Sequence, residues 1–453
     1  MNIIIVGDGK VGYTIAGYLT KEDHNITIID KNEEALRKAD DTLDVMCVKG
    51  NGARASILIE AGIEEADLVI AATSRDELNM LTCFMAKKVA ENVKTIARIR
   101  DPEYYEEFTT LRHQMGVDMV INPEFTAAQE IANILQFPSA MNIEIFFGGK
   151  ERLVEFKVME GDLLVGAKLS KISSKIPQNM LFVAVERGGE AYIPNGDFEF
   201  RVNDRVYIMG QITGITNLFK MLGRYVEKIN TVLMIGGGRT SYYLTKIISR
   251  LGMSVKIIEI DSKKCLHLAD TVEEAIIIEG DGTNQDVLDS ENLEEIDAFI
   301  AMTGRDEENL ITAMYAVEKG VDKVIAMTTR MNLPNVINKL GLDSIIDPKI
   351  ITASYITGYV RGMQNTKGSI VEALYKIMDG KVEVISFIAN ETTSFLNIPI
   401  KNLSLKKELV IACILHRSVV TIPHGNESIT VGDKVLVVTK NHHIIKDLND
   451  ILE

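Results

Sequence analysis

The sequence predicts an α/β fold in four parts: two doubly wound parallel sheets, each followed by a small α+β unit. Three observations carry that expectation. Short apolar runs alternate with helical patterns from Asn2 to about Gln136. The whole pattern returns about 229 residues later, and each copy gives way to period-two alternation broken by turn residues.

Taken in order, Ile3–Val6, Ile26–Ile29, Val45–Val48, Leu68–Ala71, Ile96–Ile99 and Met119–Ile121 read as buried strands. Their unbroken apolarity is what a parallel sheet covered on both faces demands. Amphipathic stretches such as Arg75–Ala90 fill the gaps as crossover helices. Asn122-Pro123 places a capping side chain before a proline at the first helical position, and Asp347-Pro348 repeats it. Each should launch a last helix that leaves its sheet, the kind of helix that either carries an oligomer interface or simply packs as a terminal helix. From Ile143 to Leu222 the alternation is punctuated by Arg187-Gly188-Gly189, Asn195-Gly196 and Asn203-Asp204, a strand–turn–strand grammar. The same grammar returns around Ile422-Pro423-His424-Gly425. The expected division is 1–140, 141–224, 229–368 and 369–453, with Arg224–Asn230 as the joint.

The repeat is explicit. IIIVGDGKVGYTIAGYL from Ile3 returns as VLMIGGGRTSYYLTKII from Val232, so Gly7 and Gly236 stand 229 positions apart. IIID ending at Asp30 returns as KIIE ending at Glu259, and AATSRDELN ending at Asn79 returns as AMTGRDEEN ending at Asn309. A repeat this long and collinear means duplicated domains, not a solenoid.

Bulk properties narrow the function classes. A chain of 453 residues is a soft prior for three or four domains, and 46% hydrophobic with 25% charged residues is ordinary for a globular protein. The net charge of −15 argues against nucleic acid and against anionic lipid, since both recruit Lys and Arg. No apolar run approaches the ~18–20 residues that span a bilayer, so no direct membrane insertion is expected. The first residues start a strand without a basic segment and cleavage site, so no signal peptide is expected and a cytoplasmic setting is. Cys47, Cys83, Cys265 and Cys413 are scattered and mostly flanked by apolar residues, which suits reduced, buried thiols. The seven histidines show no ligand spacing, and adjacent His442 and His443 would face different sides of a helix, so no metal site is expected.

GDGKVG, comprising Gly7, Asp8, Gly9, Lys10, Val11 and Gly12, follows a strand and opens a helix, the setting of a Rossmann dinucleotide fingerprint. Gly7 permits the tight turn, Gly9 lets backbone approach a diphosphate, and Gly12 lets the helix pack closely on the strand. Helix N–H groups and the helix dipole then attract phosphate. Asp30 ends the second strand, where a carboxylate accepts ribose hydroxyls and repels a 2′-phosphate, favouring NAD or an adenine nucleotide over NADP. The second copy keeps Gly236, Gly237 and Gly238, then Arg239 and Thr240, but Ser241 stands at the third glycine position. That serine is either tolerated or shifts the loop. Glu259 supplies the ribose carboxylate there.

Asn51-Gly52 and Asp281-Gly282 follow the third strands, where a polar side chain reaches an adenine edge or simply makes a turn. Thr73-Ser74 end the fourth strand over the crevice; Ser74 to Glu77 also spells a capping box. Arg98 ends the fifth strand within reach of a phosphate, and an offset of 230 points to Thr328 as its counterpart. No His–carboxylate pair, Ser–His arrangement or recurring lysine stands where a substrate would meet a nicotinamide, so no catalytic residue is expected. The alternative is an NAD-dependent oxidoreductase working in the first crevice. A redox-linked transcriptional sensor is opposed by the acidic balance and the lack of a helix-turn-helix segment.

Across essentially its full length the chain resembles the cytosolic gating subunits of bacterial Trk/Ktr-type potassium uptake systems. These are built from regulator-of-potassium-conductance (RCK) repeats, each a Rossmann domain plus a small C-terminal domain. The strings IIIVGDGKVG, GNGARASIL, LVIAATSRDELNMLTC and TIARIRDPEY carry the likeness in the first half; GGGR, EGDGTNQDVL and FIAMTGRDEENL carry it in the second. The resemblance implies NAD(H) or ATP/ADP as a regulatory ligand, held by Gly7 to Val11, Asp30, Thr73, Ser74 and Arg98. A second set would be Gly236 to Thr240, Glu259 and Thr303. It also implies a homo-oligomeric ring beneath an integral-membrane potassium channel subunit of the TrkH or KtrB kind. The small domains would offer room for a second effector, an ion or a cyclic dinucleotide.

Overall fold

The computed structural model describes residues 1–112, 114–173, 175–177, 179–224, 228–329, 342, 344–364, 370–378, 380–440 and 445–453. His442 and His443, part of the expected joint and the expected boundary near 369 lie outside the described residues.

Six strands form the first sheet: β1 (Asn2–Val6), β2 (Asn25–Asp30), β3 (Met46–Lys49), β4 (Leu68–Ala71), β5 (Lys94–Arg98) and β6 (Met119–Ile121). They lie in the order β3-β2-β1-β4-β5-β6, all parallel. The chain reverses direction across the sheet between β1 and β4, and such a switch point is where open α/β sheets bind ligands. A five-stranded antiparallel sheet follows, from β7 (Asn142–Phe146), β8 (Glu151–Lys157), β9 (Met180–Arg187), β10 (Glu190–Tyr192) and β11 (Arg205–Gly210).

The second half repeats the plan. Strands β12 (Thr231–Ile235), β13 (Ser254–Glu259), β14 (Ala275–Glu279), β15 (Ala298–Ala301), β16 (Lys323–Met327) and β17 (Ser344–Ile346) form a parallel sheet of the same order. Strands β18 (Ile370–Ile377), β19 (Val382–Ile388), β20 (Leu409–His416), β21 (Val419–Thr421) and β22 (Lys434–Lys440) form the second antiparallel sheet. The two small sheets pack face to face, Val183, Tyr207 and Met209 meeting Val384, Leu436 and Val438.

The last helix of each Rossmann unit crosses to the other half. Asn122 caps the helix Pro123–Gln136 by accepting from Phe125 N at 3.0 Å, with proline in the first turn as expected. That helix buries Ala127, Ala128, Ile131 and Leu135 against Leu244 and Ile248 of the helix Arg239–Arg250. In return, the helix Pro348–Gln364 buries Ala353, Ile356 and Val360 against Ile15 and Leu19 of the helix Lys10–Leu19. These interfaces join two halves of one chain. Each fully buried aliphatic side chain contributes about 1.5–3 kcal/mol to holding them together.

The two contacts differ chemically. Arg361, fully buried, donates to Glu22 at 2.6 and 2.7 Å and to Glu383 at 2.7 and 2.9 Å. Lys376 stands 3.1 Å from Glu22 and 3.7 Å from Glu383, so two cations balance two carboxylates. Burial alone would raise the Glu22 carboxyl, but Arg361 and Lys376 hold it below its ordinary value. The first crossing helix carries Gln136 at the matching position, where it donates to Ala132 O of its own helix. It carries a different charged feature instead. Glu130 meets Glu144 of β7, and burial pushes both carboxyls up, Glu144 to about 7.

Replacing Arg361 with Leu should destabilise the protein by about 3–5 kcal/mol, because two buried carboxylates lose their partner; chemical denaturation reads it. The acid pair has the opposite logic. Its folded values lie above the unfolded carboxyl value of 4.5, so its stability contribution is full below that value and lost as pH rises through about 7. The melting temperature should therefore fall from about pH 5 to about pH 8, and Glu144→Gln should flatten that fall.

Candidate functional site

The first crevice is built by one turn. Leaving β1, the chain takes a positive φ of 103° at Gly7, where a Cβ would stand 2.9 Å from Thr73 backbone. A Cβ on Gly12 would lie 1.9 Å from the Gly7 carbonyl oxygen, so this loop as it stands is closed around glycine. Gly9 caps the helix Lys10–Leu19 with no side-chain bond, and space above it is open to 4 Å. The first-turn N–H groups are thus available to an anion.

Asp30 is held at the tip of β2: Oδ2 accepts from Asp8 N at 2.7 Å and Oδ1 from Asn32 N at 2.8 Å. Burial, and then the nearby Asp30 charge, push the Asp8 carboxyl up to about 6 against the pull of Lys38. Asp8 Oδ1 is buried without a partner. Across the crevice, Asn79 is fully buried and fastens the ends of β4 and β5 together. Its Oδ1 accepts from Thr73 N and Oγ1 at 2.8 and 2.7 Å, and its Nδ2 donates to Arg98 O at 2.8 Å. The Ser74–Glu77 capping box does not form. Arg75 caps the helix Asp76–Val89 without a side-chain bond, and the Thr73 hydroxyl accepts from Arg75 N instead.

These elements enclose a cavity of about 640 Å³ whose walls include Gly7, Gly9, Lys10, Val11, Asp30, Asn51, Gly52, Thr73, Ser74 and Arg98. Beyond them stand Arg100 and Glu124, which sequence reasoning missed. Glu124 Oε1 accepts from Arg100 Nε at 2.8 Å and Arg98 Nη2 at 3.4 Å, while Arg98 Nε and Glu124 Oε2 are buried without partners. Thr240, Met327, Thr329, Pro348 and Lys349 of the second half complete the wall. Thr240, expected in the second crevice, also lines the first. Lys10 donates to Thr329 Oγ1 at 3.3 Å, and Lys349 to Thr329 O at 3.0 Å. The crevice is a seam between the halves.

The second crevice keeps the frame and changes the lining. Gly236 has φ 96°, and Glu259 accepts from Gly237 N at 2.7 Å and Asp261 N at 2.9 Å. Ser241 is tolerated because its hydroxyl donates to Gly236 O. Asn309 repeats the Asn79 fastening with Thr303 N and Oγ1 at 2.9 and 2.7 Å. Asp281 holds its own turn by accepting from Thr283 N at 2.9 Å. Gly238 has open space above it, but Leu268 fills the space beside Gly237: a Cβ there would stand 2.4 Å from it. Arg239 is exposed, and its charge acts on Arg98. The counterpart of Arg98 is Met327, not Thr328. Asn309 Nδ2 donates to Met327 O at 2.8 Å, as Asn79 does to Arg98 O. Arg100 likewise maps to Thr329, whose N donates to Asp306 as that of Arg100 does to Asp76. Two arginines have become a thioether and a hydroxyl.

The TrkA-N domain model matches residues 3–123 and again 232–348, and the TrkA-C domain model matches 153–223. A Trk system potassium uptake protein TrkA homolog of Methanosarcina mazei is 33% identical over 444 residues, covering 96% of this chain and 97% of the relative. The TrkA of Vibrio alginolyticus is 30% identical, covering 100% and 99%. The solved GsuK RCK domain superposes with a TM-score of 0.63 at 15% identity, covering 97% of this chain and 92% of that one. The GsuK channel bound to NAD gives the same score, with 77% of that chain covered. With one domain model matched in both halves and relatives a third identical from end to end, the chain belongs to the family of Trk system potassium uptake proteins TrkA.

Proposed function

We propose that the chain is a regulatory subunit without chemistry of its own. NAD(H) or ATP/ADP held in the first crevice sets the shape of an assembly that gates a membrane potassium-uptake partner. The observation that carries this reading is the position of the crevice, whose wall is shared by both halves. A ligand bound there acts directly on how the halves sit. The crevice also suits a nucleotide: open space over Gly9 for a diphosphate, Asp30 for ribose hydroxyls, and Arg98 in the wall for an anion.

In this reading Gly7 to Gly12, Asp30, Asn51, Gly52, Thr73, Ser74 and Arg98 hold the ligand. Gly236 to Thr240, Glu259, Asp281 and Thr303 form a weaker second site, because Leu268 crowds Gly237 and no arginine faces it from Met327 or Thr329. The domain limits proposed are 1–140, 141–224, 229–368 and 369–453. Ring assembly is supported by apolar residues left exposed at matching positions. Leu81 and Phe84 on the helix Asp76–Val89 recur as Ile311 and Met314 on the helix Asp306–Glu318.

Among the described residues no helix is long and apolar enough to cross a membrane, so a TrkH- or KtrB-like subunit would supply the pore and hold this chain at the inner membrane face. A nucleotide preferring one ring shape tenfold contributes about 1.4 kcal/mol per site, and reversing a 1:99 equilibrium needs roughly 5.5 kcal/mol. Several coupled sites suffice. An oxidoreductase finds no support: neither histidine nor cysteine lines the crevice, and Glu124 is engaged by two arginines.

Reconstituting the chain with its membrane subunit should give potassium flux that changes on adding NADH, ATP or ADP; flux indifferent to all of them would exclude the proposal. By titration calorimetry, Asp30→Ala should weaken ADP binding roughly tenfold to hundredfold, as loss of hydrogen bonds to a charged group predicts. Glu259→Ala should change it by less than about threefold, consistent with a distant site. Gly12→Val should abolish binding in the first crevice while Ser241→Gly leaves it intact, since valine would press on the Gly7 carbonyl with no hydroxyl to bond it.

A further inference from the structure

One hydroxyl links the first crevice to the second half. Tyr243 lies one turn into the helix Arg239–Arg250, the helix that carries the second glycine loop at its start. Its side chain is buried in the first half. The hydroxyl donates to Arg100 O at 3.0 Å and accepts from Asn122 Nδ2 at 2.9 Å. Burial pushes the phenol well above its ordinary value, so the proton is always present for that carbonyl.

One partner lines the crevice and the other adjoins it. Arg100 lines it and binds Glu124 through Nε; Asn122 caps the crossing helix with its Oδ1 on Phe125 N. The ring is wedged edge-on against Phe125 at 5.4 Å and Tyr105 at 6.2 Å, so it cannot swing without moving its helix. Among the described residues the reciprocal interface has no matching hydroxyl link; there Lys10 of the helix Lys10–Leu19 reaches the Thr329 side chain instead. The position matching Tyr243 is Thr14, whose hydroxyl donates to Lys10 O of its own helix. The position matching Asn122 is Asp347, which pairs with Lys349.

We propose that Tyr243 is the positioning residue through which the second half registers an occupied first crevice. The inference rests on the reading of that crevice as a nucleotide site. A phosphate that draws Arg98 or Arg100 away from Glu124 shifts the Arg100 backbone, and the shared hydroxyl delivers the shift to the helix Arg239–Arg250. Thr240 of the same helix lines the crevice, so the helix is touched twice, once directly and once through Tyr243.

Hydrogen–deuterium exchange on the full chain, with and without ADP, separates binding from transmission. In the wild type, ADP should slow exchange over residues 7–15 and also alter it over 244–250, beyond the direct contact at Thr240. In Tyr243→Phe, which keeps the ring, the first effect should persist with ADP affinity within about twofold. The second should shrink at least about fivefold, the lower end of ordinary coupling. Tyr242→Phe, beside it, should behave as wild type. Asn122→Asp keeps the cap but no longer donates to the hydroxyl, and Asp347 shows that the fold accepts Asp at such a cap; it should uncouple as well. If Tyr243→Phe and Asn122→Asp transmit as strongly as the wild type, the inference is overturned and the crevice reading stands. If ADP leaves residues 7–15 of the wild type unchanged, the crevice reading falls and takes the inference with it.

Discussion

Neither half of this chain covers its own first helix. Ile15 and Leu19 need Ile356 and Val360, and Leu244 and Ile248 need Ile131 and Leu135. That reciprocal need to cover apolar surface is the constraint from which the rest follows, because removing such surface from water is the main force that favours a compact state. It brings Asn122 and Asp347, the caps of the crossing helices, beside the switch points of the sheets. It also sets the ends of β16 and the Pro348 turn over the first glycine loop, making the crevice a seam.

How far the sequence reached depends on the physics of each feature. The parallel strands were legible because a sheet covered on both faces leaves unbroken apolar runs. The glycine loop was legible because Gly12 sits against the Gly7 carbonyl, where a side chain finds almost no room. Partner choice was not: an apolar helix face says that it is covered, never by what. Nothing in the sequence singled out Arg361, whose burial depends on Glu22, distant in sequence, and Glu383 converging on it. Asn79 and Asn309 stood in the repeated strings, yet a polar residue in a helix gave no sign of tying two strand ends together. The Ser74–Glu77 pattern misled because the Thr73 hydroxyl reaches the Arg75 amide first.

The two crevices show a size exchange that keeps one backbone while altering its contents. In the first, Asp8 projects from the loop and Ala39 lies buried on the following helix; in the second, Gly237 has no side chain and Leu268, 229 positions after Ala39, occupies the room. Glu259 makes the same two backbone contacts as Asp30 from a more buried position. Loss of the paired arginines at Met327 and Thr329 completes the difference. Both loops retain their positive-φ glycine, so the scaffold was preserved where the lining was not.

The Arg361 cluster has a consequence for symmetry. Were the two halves separate identical chains, any residue placed at that position would occur on both sides of the dyad, and a charge added for one contact would burden the other. Tandem linkage lifts that rule, so a single-copy lock stands opposite Gln136. The molecule therefore has a distinguishable left and right. A ring of such chains about a single axis alternates unlike joints, and its rotational order equals the number of chains, half the number of parallel sheets.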